Sequence, residues 1–334
     1  MKLYKRLRFA ATIILVFLLS LVSVSIGIDA VSAEVKLVYA SGELAGFSLS
    51  DSGPIVVGFD DTKDNISPAE KAGIELGDVI IAIDGVKTST IDQIKTRLVC
   101  GGDTITVTCL RGGESMDIQV TLGESKALGC WLKGTFTGIG TVTCYIPDDN
   151  RIILLGHSVS DGGSIIPHAE SGSIYLAYFM SIKVGQIDNP GEIRACFDYS
   201  APTIAKITSN TKSGLNAKPN SNIEEYLSLT KTQLLDKHEV KVGKATILCE
   251  IDGNGPKEYE ITIESISINK DEKNMVIHIV DKELLCITGG IVQGMSGSPI
   301  IQDGKLVGAV THVLVNDPTR GYGIFIENML DAAG

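Results

Sequence analysis

The run Gly289-Gly-Ile-Val-Gln-Gly-Met-Ser-Gly-Ser-Pro-Ile-Ile301 crowds glycine and serine around one turn. A serine hydroxyl is a weak nucleophile at its ordinary pKa. It acquires catalytic use on a tight turn whose amide protons face the charge that develops on a substrate carbonyl. Side chains beside it would block that approach, so the flanking Gly294 and Gly297 suit a nucleophile at Ser296. Such a serine also needs a base of near-neutral pKa. The chain holds five histidines, His157, His168, His238, His278 and His312. His157 follows the strand-like run Arg151–Leu155 and lies in the strand-end loop Leu155-Gly-His-Ser-Val-Ser-Asp161. His278 alternates inside a strand and His238 ends a polar stretch, whereas His312, beyond the strand that Pro299 opens, is second choice. A carboxylate must then fix the imidazole tautomer. Asp161 is a loop neighbour of His157, and Asp281 ends the run Met275–Val280; a strand-end position is better held and favours Asp281, with Asp161 left as the alternative.

These groups need a scaffold that brings distant segments together. The 334 residues allow two domains, and 44% apolar against 21% charged residues supports buried cores. Strand-like runs cover 134–145, 151–155, 173–179, 240–251, 257–268 and 275–280, with hairpin turns at Asp252-Gly-Asn-Gly255 and Asp303-Gly304. This pattern implies a pair of β-barrels over 125–334. Residues 209–222 read as an exposed loop and 224–238 as a surface helix.

The net charge of −11 disfavours a nucleic-acid partner. The seven cysteines form no CxxC pair and read as buried thiols, and no HExxH is present, so neither metal nor cofactor is expected. The first eight residues are basic, and Phe9 to Ile28 carries no charge over twenty residues, enough to span the roughly 30 Å hydrocarbon layer. Residues 1–33 therefore read as a membrane helix, an anchor or a signal peptide ending near Val31-Ser-Ala33, with the rest of the chain outside the cytoplasm.

Residues 34–124 read as a separate unit. Within it, Ser67-Pro-Ala-Glu-Lys-Ala-Gly-Ile-Glu-Leu-Gly-Asp-Val-Ile-Ile-Ala-Ile-Asp-Gly85 resembles the PDZ family. Gly73 and Gly77 permit turns a β-carbon would crowd, and Asp78 can satisfy turn amides. PDZ domains hold a peptide as an added strand, with its carboxylate in an amide nest. The resemblance puts that nest at Leu44, Ala45, Gly46 and Phe47.

Gly294-Met-Ser-Gly-Ser-Pro299 resembles the Gly-Asp-Ser-Gly-Gly-Pro loop of chymotrypsin-like peptidases. On that pattern the amides of Gly294 and Ser296 form the oxyanion hole, and Ser298 stands at the second glycine. The clan also implies that Thr311, His312 and Val313, with Gly321, Tyr322 and Gly323, flank the specificity pocket. Together with Gly156-His157, Asp281-Lys-Glu-Leu-Leu and Gly308-Ala-Val-Thr-His-Val-Leu-Val, the loop looks like the stage IV sporulation protein B peptidase family. The resemblance implies a mostly β protein: an N-terminal membrane helix, a PDZ domain, then a chymotrypsin-like double β-barrel with a His157, Asp281, Ser296 triad. It further implies a regulatory endopeptidase in the space between the membranes around a forespore. Such an enzyme cuts its own N-terminal region and a membrane-bound regulator, releasing a late mother-cell sigma factor. Two other functions fit less well: a PDZ adaptor with a dead peptidase domain, and a quality-control protease, which usually carries its PDZ domains after the peptidase.

Overall fold

A computed structural model of the chain describes residues 37–60, 67–162 and 165–332. In chain order the first barrel begins with β1 (Leu37–Ala40) and β2 (Leu44–Ser50). A smaller unit follows: β3 (Ile55–Phe59), α1 (Pro68–Lys71), β4 (Val79–Ile83), β5 (Val86–Lys87), α2 (Ile91–Cys100), β6 (Thr104–Arg111), β7 (Glu114–Thr121) and β8 (Cys130–Lys133). The chain then re-enters the first barrel through β9 (Phe136–Ile146), β10 (Arg151–Leu154) and β11 (Ser171–Leu176). A separate hairpin, β12 (Tyr178–Lys183) and β13 (Glu192–Cys196), precedes β14 (Ala205–Thr211), β15 (Gly214–Pro219) and β16 (Thr230–Gln233). The second barrel holds β17 (Gly243–Cys249), β18 (Lys257–Ile266), β19 (Met275–Ile279), α3 (Lys282–Thr288), β20 (Pro299–Gln302), β21 (Lys305–Leu314) and β22 (Asp317–Phe325), and α4 (Ile326–Asp331) ends the described chain.

The first barrel closes in the order β10-β15-β14-β11-β2-β9, because β9 pairs with β10 as well as β2; β1 and β16 extend it from β9. The second closes as β17-β18-β19-β22-β21-β20. Alternation drives both. Along β18, Tyr259, Ile261 and Ile263 point inward between exposed or half-buried neighbours and meet Ile247, Ile277 and Phe325 in one core. Phe47, Ile152, Leu154 and Leu215 fill the first barrel.

The smaller unit is an insertion between β2 and β9, with sheet order β7-β6-β4-β3-β8. Its turn follows the reading above: Gly73 and Gly77 have positive φ of 95° and 90°. Asp78, fully buried, accepts from the Glu75 amide at 2.9 Å and from Arg111 Nε and Nη2 at 2.7 Å each. One sheet face, with Val57, Val79, Ile81 and Leu110, shares a core with the first barrel.

Four expectations need correction. The segment Leu44–Ser50 is a barrel strand rather than part of the inserted unit. Gly46 pairs with Tyr175 on one side and Ile139 on the other, so Leu44 to Phe47 offer no free edge to an added peptide. The Phe197 ring packs so closely on Gly46 that a Cβ there would lie 2.2 Å from it. Residues 209–222 form the end of β14 and all of β15, with Gly214 to Ala217 buried, because the hairpin closes the barrel against β10. Residues 224–238 hold a short 3-10 turn and β16 instead of a helix. The buried-thiol expectation holds for Cys109, Cys144 and Cys249, whereas Cys100, Cys196 and Cys286 are exposed. Among the described residues no helix is long and apolar enough to cross a membrane; the stretch Phe9 to Ile28 lies outside them.

Candidate active site

His157 leaves the first barrel just after β10. Leu155 and Gly156 both take positive φ, 75° and 72°, and this double left-handed step turns the chain out of the barrel. A side chain at Gly156 would meet Thr311 Cγ2 at 3.0 Å and the Val310 carbonyl oxygen at 3.3 Å, so the glycine lets the loop lie directly on β21 of the second barrel. The half-buried His157 places Nδ1 2.9 Å from the Ser158 carbonyl oxygen. A carbonyl only accepts, so Nδ1 carries the proton and Nε2 keeps the lone pair, the tautomer a general base requires. Burial is the largest influence on its pKa and holds it below the usual histidine value, while the Ser158 bond and the charge of Glu272 act upward.

Ser296 comes from the second barrel but is fastened to the first. Two buried threonines of β9 donate to its loop, Thr141 Oγ1 to the Gly294 carbonyl and Thr143 Oγ1 to the Gly297 carbonyl, at 2.7 Å each. The Thr141 amide donates to the Ser296 carbonyl at 2.9 Å, and the Gly297 amide to the Val310 carbonyl at 2.8 Å. Gly297, at φ 98°, is indispensable for this closeness: a Cβ there would lie 2.1 Å from the Thr141 carbonyl oxygen. Ser296 Oγ donates to the Thr311 carbonyl at 2.7 Å, so the hydroxyl must rotate to reach an imidazole. Among the described residues, the amides of Gly294 and Ser296 donate to no protein acceptor and are free for an oxygen entering the cleft.

The cleft, about 690 Å³, is lined by His157, Ser296, Gly294, Thr311, His312 and Val313, along with apolar Ile139, Ile291, Val292 and Val315. The His312 ring lies 4.8 Å from that of His157, tilted by 38°. Desolvation, then His157 and Lys273, push the His312 pKa down to about 4, so it is a neutral wall at physiological pH. Gly321, Tyr322 and Gly323 stand behind the cleft instead of lining it. Gly321 supports it, since a Cβ there would meet the His312 carbonyl oxygen at 2.5 Å and Ile291 Cδ1 at 2.6 Å.

The structure does not bring Asp281 to His157. Asp281 caps α3: Oδ1 accepts from the Leu284 amide at 3.0 Å, and Oδ2 from the Glu260 amide at 3.3 Å. An aspartate between a strand and an apolar helix satisfies the helix's unpaired amides, and this local demand was visible in Asp281-Lys-Glu-Leu-Leu. Asp161 closes its own loop by accepting from the Ile165 amide at 3.2 Å. The group on the Nδ1 side is thus a main-chain carbonyl. Sequence reasoning missed this, and it missed Thr141 and Thr143; the only trace of the threonines was their alternation with Val142 and Cys144 in a mostly apolar run.

Two barrels that meet at a serine on a glycine turn and a histidine with its Nε2 lone pair available define a serine peptidase of the chymotrypsin-like class. The profile of SpoIVB peptidase S55 matches residues 124–330, and that of a PDZ domain residues 66–111. The chain belongs to the SpoIVB peptidase S55 family. Among curated proteins it is 40% identical over 78 residues to mll0638 of Mesorhizobium japonicum, named as a zinc metalloprotease, covering 22% of this chain and 21% of that one. It is also 40% identical over 58 residues to a do/HhoA-like periplasmic serine protease of Haemophilus influenzae, covering 17% and 12%. The chain thus spans about a fifth or less of the length of these relatives. Among solved structures, the HtrA-type protease AlgW with decapeptide aligns over 87% of this chain and 63% of its own, at 12% identity and a TM-score of 0.36. The inactive form of the Rv3671c protease aligns over 58% and 82%, at 13% identity and 0.35.

Proposed function

We propose that this chain is a regulatory serine endopeptidase in which Ser296 attacks, His157 is the base and the Gly294 and Ser296 amides hold the oxyanion. The observation that carries this is the shared cleft of Ser296 and His157, with Nδ1 of the histidine already donating to Ser158. An extended substrate lying along Thr311 to Val313 would take the Thr311 carbonyl for its own amide. The Ser296 hydroxyl, released from that acceptor, then passes its proton to His157 Nε2 as Oγ bonds the scissile carbonyl carbon. His157 returns the proton to the departing amine. Each oxyanion donor is worth about 10²–10³ in rate. The apolar lining of Ile139, Ile291, Val292 and Val313 favours a small or aliphatic side chain before the cut bond. A peptide library with a strong Arg or Lys preference would contradict that.

Family membership supports a signalling role in sporulation: self-cleavage in the N-terminal region, then cleavage of a membrane-bound regulator outside the cytoplasm, with residues 1–33 holding the enzyme at the membrane. The test is to incubate purified full-length chain and follow its length. The expected result is spontaneous shortening that Ser296→Ala abolishes, with one or two cuts in a regulator's outward domain. Broad degradation of unfolded proteins would instead support a quality-control protease, and absence of any cleavage an adaptor.

A further inference from the structure

We propose that Asn210 is a positioning residue of the peptidase, orienting His157 through the peptide group that joins Ser158 to Val159. The inference rests on His157 being the base of the reaction. Asn210 lies near the end of β14, beside the turn into β15. Its carboxamide is fully engaged with the histidine loop: Oδ1 accepts from the Val159 amide at 2.9 Å, and Nδ2 donates to the Val159 carbonyl at 2.9 Å and the Pro167 carbonyl at 3.0 Å. The Val159 amide and the Ser158 carbonyl belong to one planar peptide group, and in a trans peptide they point in opposite directions. On one side of that group Asn210 Oδ1 receives its N–H; on the other its oxygen receives Nδ1–H of His157. Fixing the N–H therefore fixes the carbonyl that selects the imidazole tautomer. Aligned donors and acceptors in a chain polarise one another, which strengthens the terminal bond to the ring. Val159 itself is buried in the first-barrel core, so the loop is held by its side chain and by its backbone. Gly214, across the same hairpin, packs against the Leu154 carbonyl and Gly156 amide, which keeps the β14–β15 turn against the loop.

The test uses full-length chain and a fluorophosphonate probe, comparing the rate of Ser296 labelling and the kcat and KM for a peptide substrate from pH 5 to 9. The other charged or titratable groups lining the cleft, His312 from β21, Glu272 from the turn between β18 and β19, and Lys212 from the turn between β14 and β15, stay unchanged in each variant. Asn210→Ala is expected to slow labelling and lower kcat by about 10–100-fold, the scale of a misplaced catalytic group, with KM within about two-fold. Its acid limb should move to lower pH, because the bond that favours the charged imidazole is weakened. Asn210→Asp retains an acceptor for the Val159 amide and adds negative charge, so its acid limb should lie at or above that of the parent. If the alanine variant fails to fold, the aspartate variant's acid limb decides. Labelling of Asn210→Ala at the parent rate would overturn the inference. So would equal slowing in both variants with unmoved pH profiles, which marks support of the loop alone. A parent enzyme that does not label at Ser296 would instead overturn the peptidase reading on which the inference stands.

Discussion

The nucleophile loop and the histidine loop solve the same positioning problem in different ways. The loop of Ser296 is tied to both barrels by backbone bonds and two buried threonines, and Gly297 lies too close to the Thr141 carbonyl to accept a side chain. The loop of His157 hangs from one strand end, with a core valine, a side-chain amide and its own Ser158 carbonyl to hold it. On the proposed roles, the Ser296 hydroxyl is placed by the fold, whereas the His157 imidazole is placed by fewer contacts, of which the Asn210 amide is a replaceable side chain. Substitutions around Ser296 should therefore affect stability and activity together, and those around His157 should affect activity with less effect on stability.

Ser296→Ala and His157→Ala should each reduce kcat on a peptide substrate by about 10⁶, measured by steady-state hydrolysis, with the melting temperature unchanged within a few degrees. Thr143→Val leaves the buried Gly297 carbonyl without its donor. It should cost about 1–3 kcal/mol in denaturant unfolding and lower kcat in parallel. Unfolding unchanged in that variant would show that the serine loop is not fastened through β9.

The pH dependence sharpens the histidine side. The folded pKa of His157 lies below the ordinary histidine value, so the acid limb of kcat/KM is expected below pH ~6.5. His312 gives the stability counterpart. Its folded pKa, about 4, is depressed, so the unfolded chain binds the proton more readily as pH falls from ~6.5. Stability attributable to this group is present above pH ~6.5 and declines between there and about 4, and His312→Gln should flatten that decline in thermal melts.

Asp281→Ala is expected to cost about 1 kcal/mol through the helix cap, with kcat largely retained. A loss near 10⁴ in kcat with the fold intact would mean that Asp281 reaches the imidazole in the working enzyme. The smallest effect concerns Glu250, whose pKa burial and the neighbouring Glu43 raise to about 7. A raised carboxyl stabilises the fold below its unfolded pKa and loses that contribution as pH rises through about 7. Glu250→Gln should therefore melt a few degrees higher than the parent at pH 8 and nearly level with it at pH 5.

Much of this site was legible because its chemistry is local. The serine turn, the strand-end histidine and the Gly-Asp turn of the inserted unit each need particular residue types within a few positions. Strands such as β18 and β19 followed from alternation. What escaped reading depends on partners far along the chain. Leu44–Ser50 looks the same whether it joins the inserted sheet or the barrel, since alternation fixes a strand and not its neighbours. Asp281 carried two compatible meanings, a triad acid and a helix cap, and the local demand of α3 accounts for its place. Asn210 had no signal at all, because its partner Val159 lies in another loop and its bonds run to main-chain atoms.

A crystal structure of the enzyme phosphonylated by a peptidyl phosphonate would show whether Ser296, His157 and the two amides act on one carbonyl. The phosphorus should be bonded to Ser296 Oγ, with its oxygen accepting from the Gly294 and Ser296 amides, His157 Nδ1 still donating to the Ser158 carbonyl, and Asp281 still capping α3. An adduct on another residue, or an Asp281 oxygen within hydrogen-bond reach of His157 Nδ1, would contradict these roles.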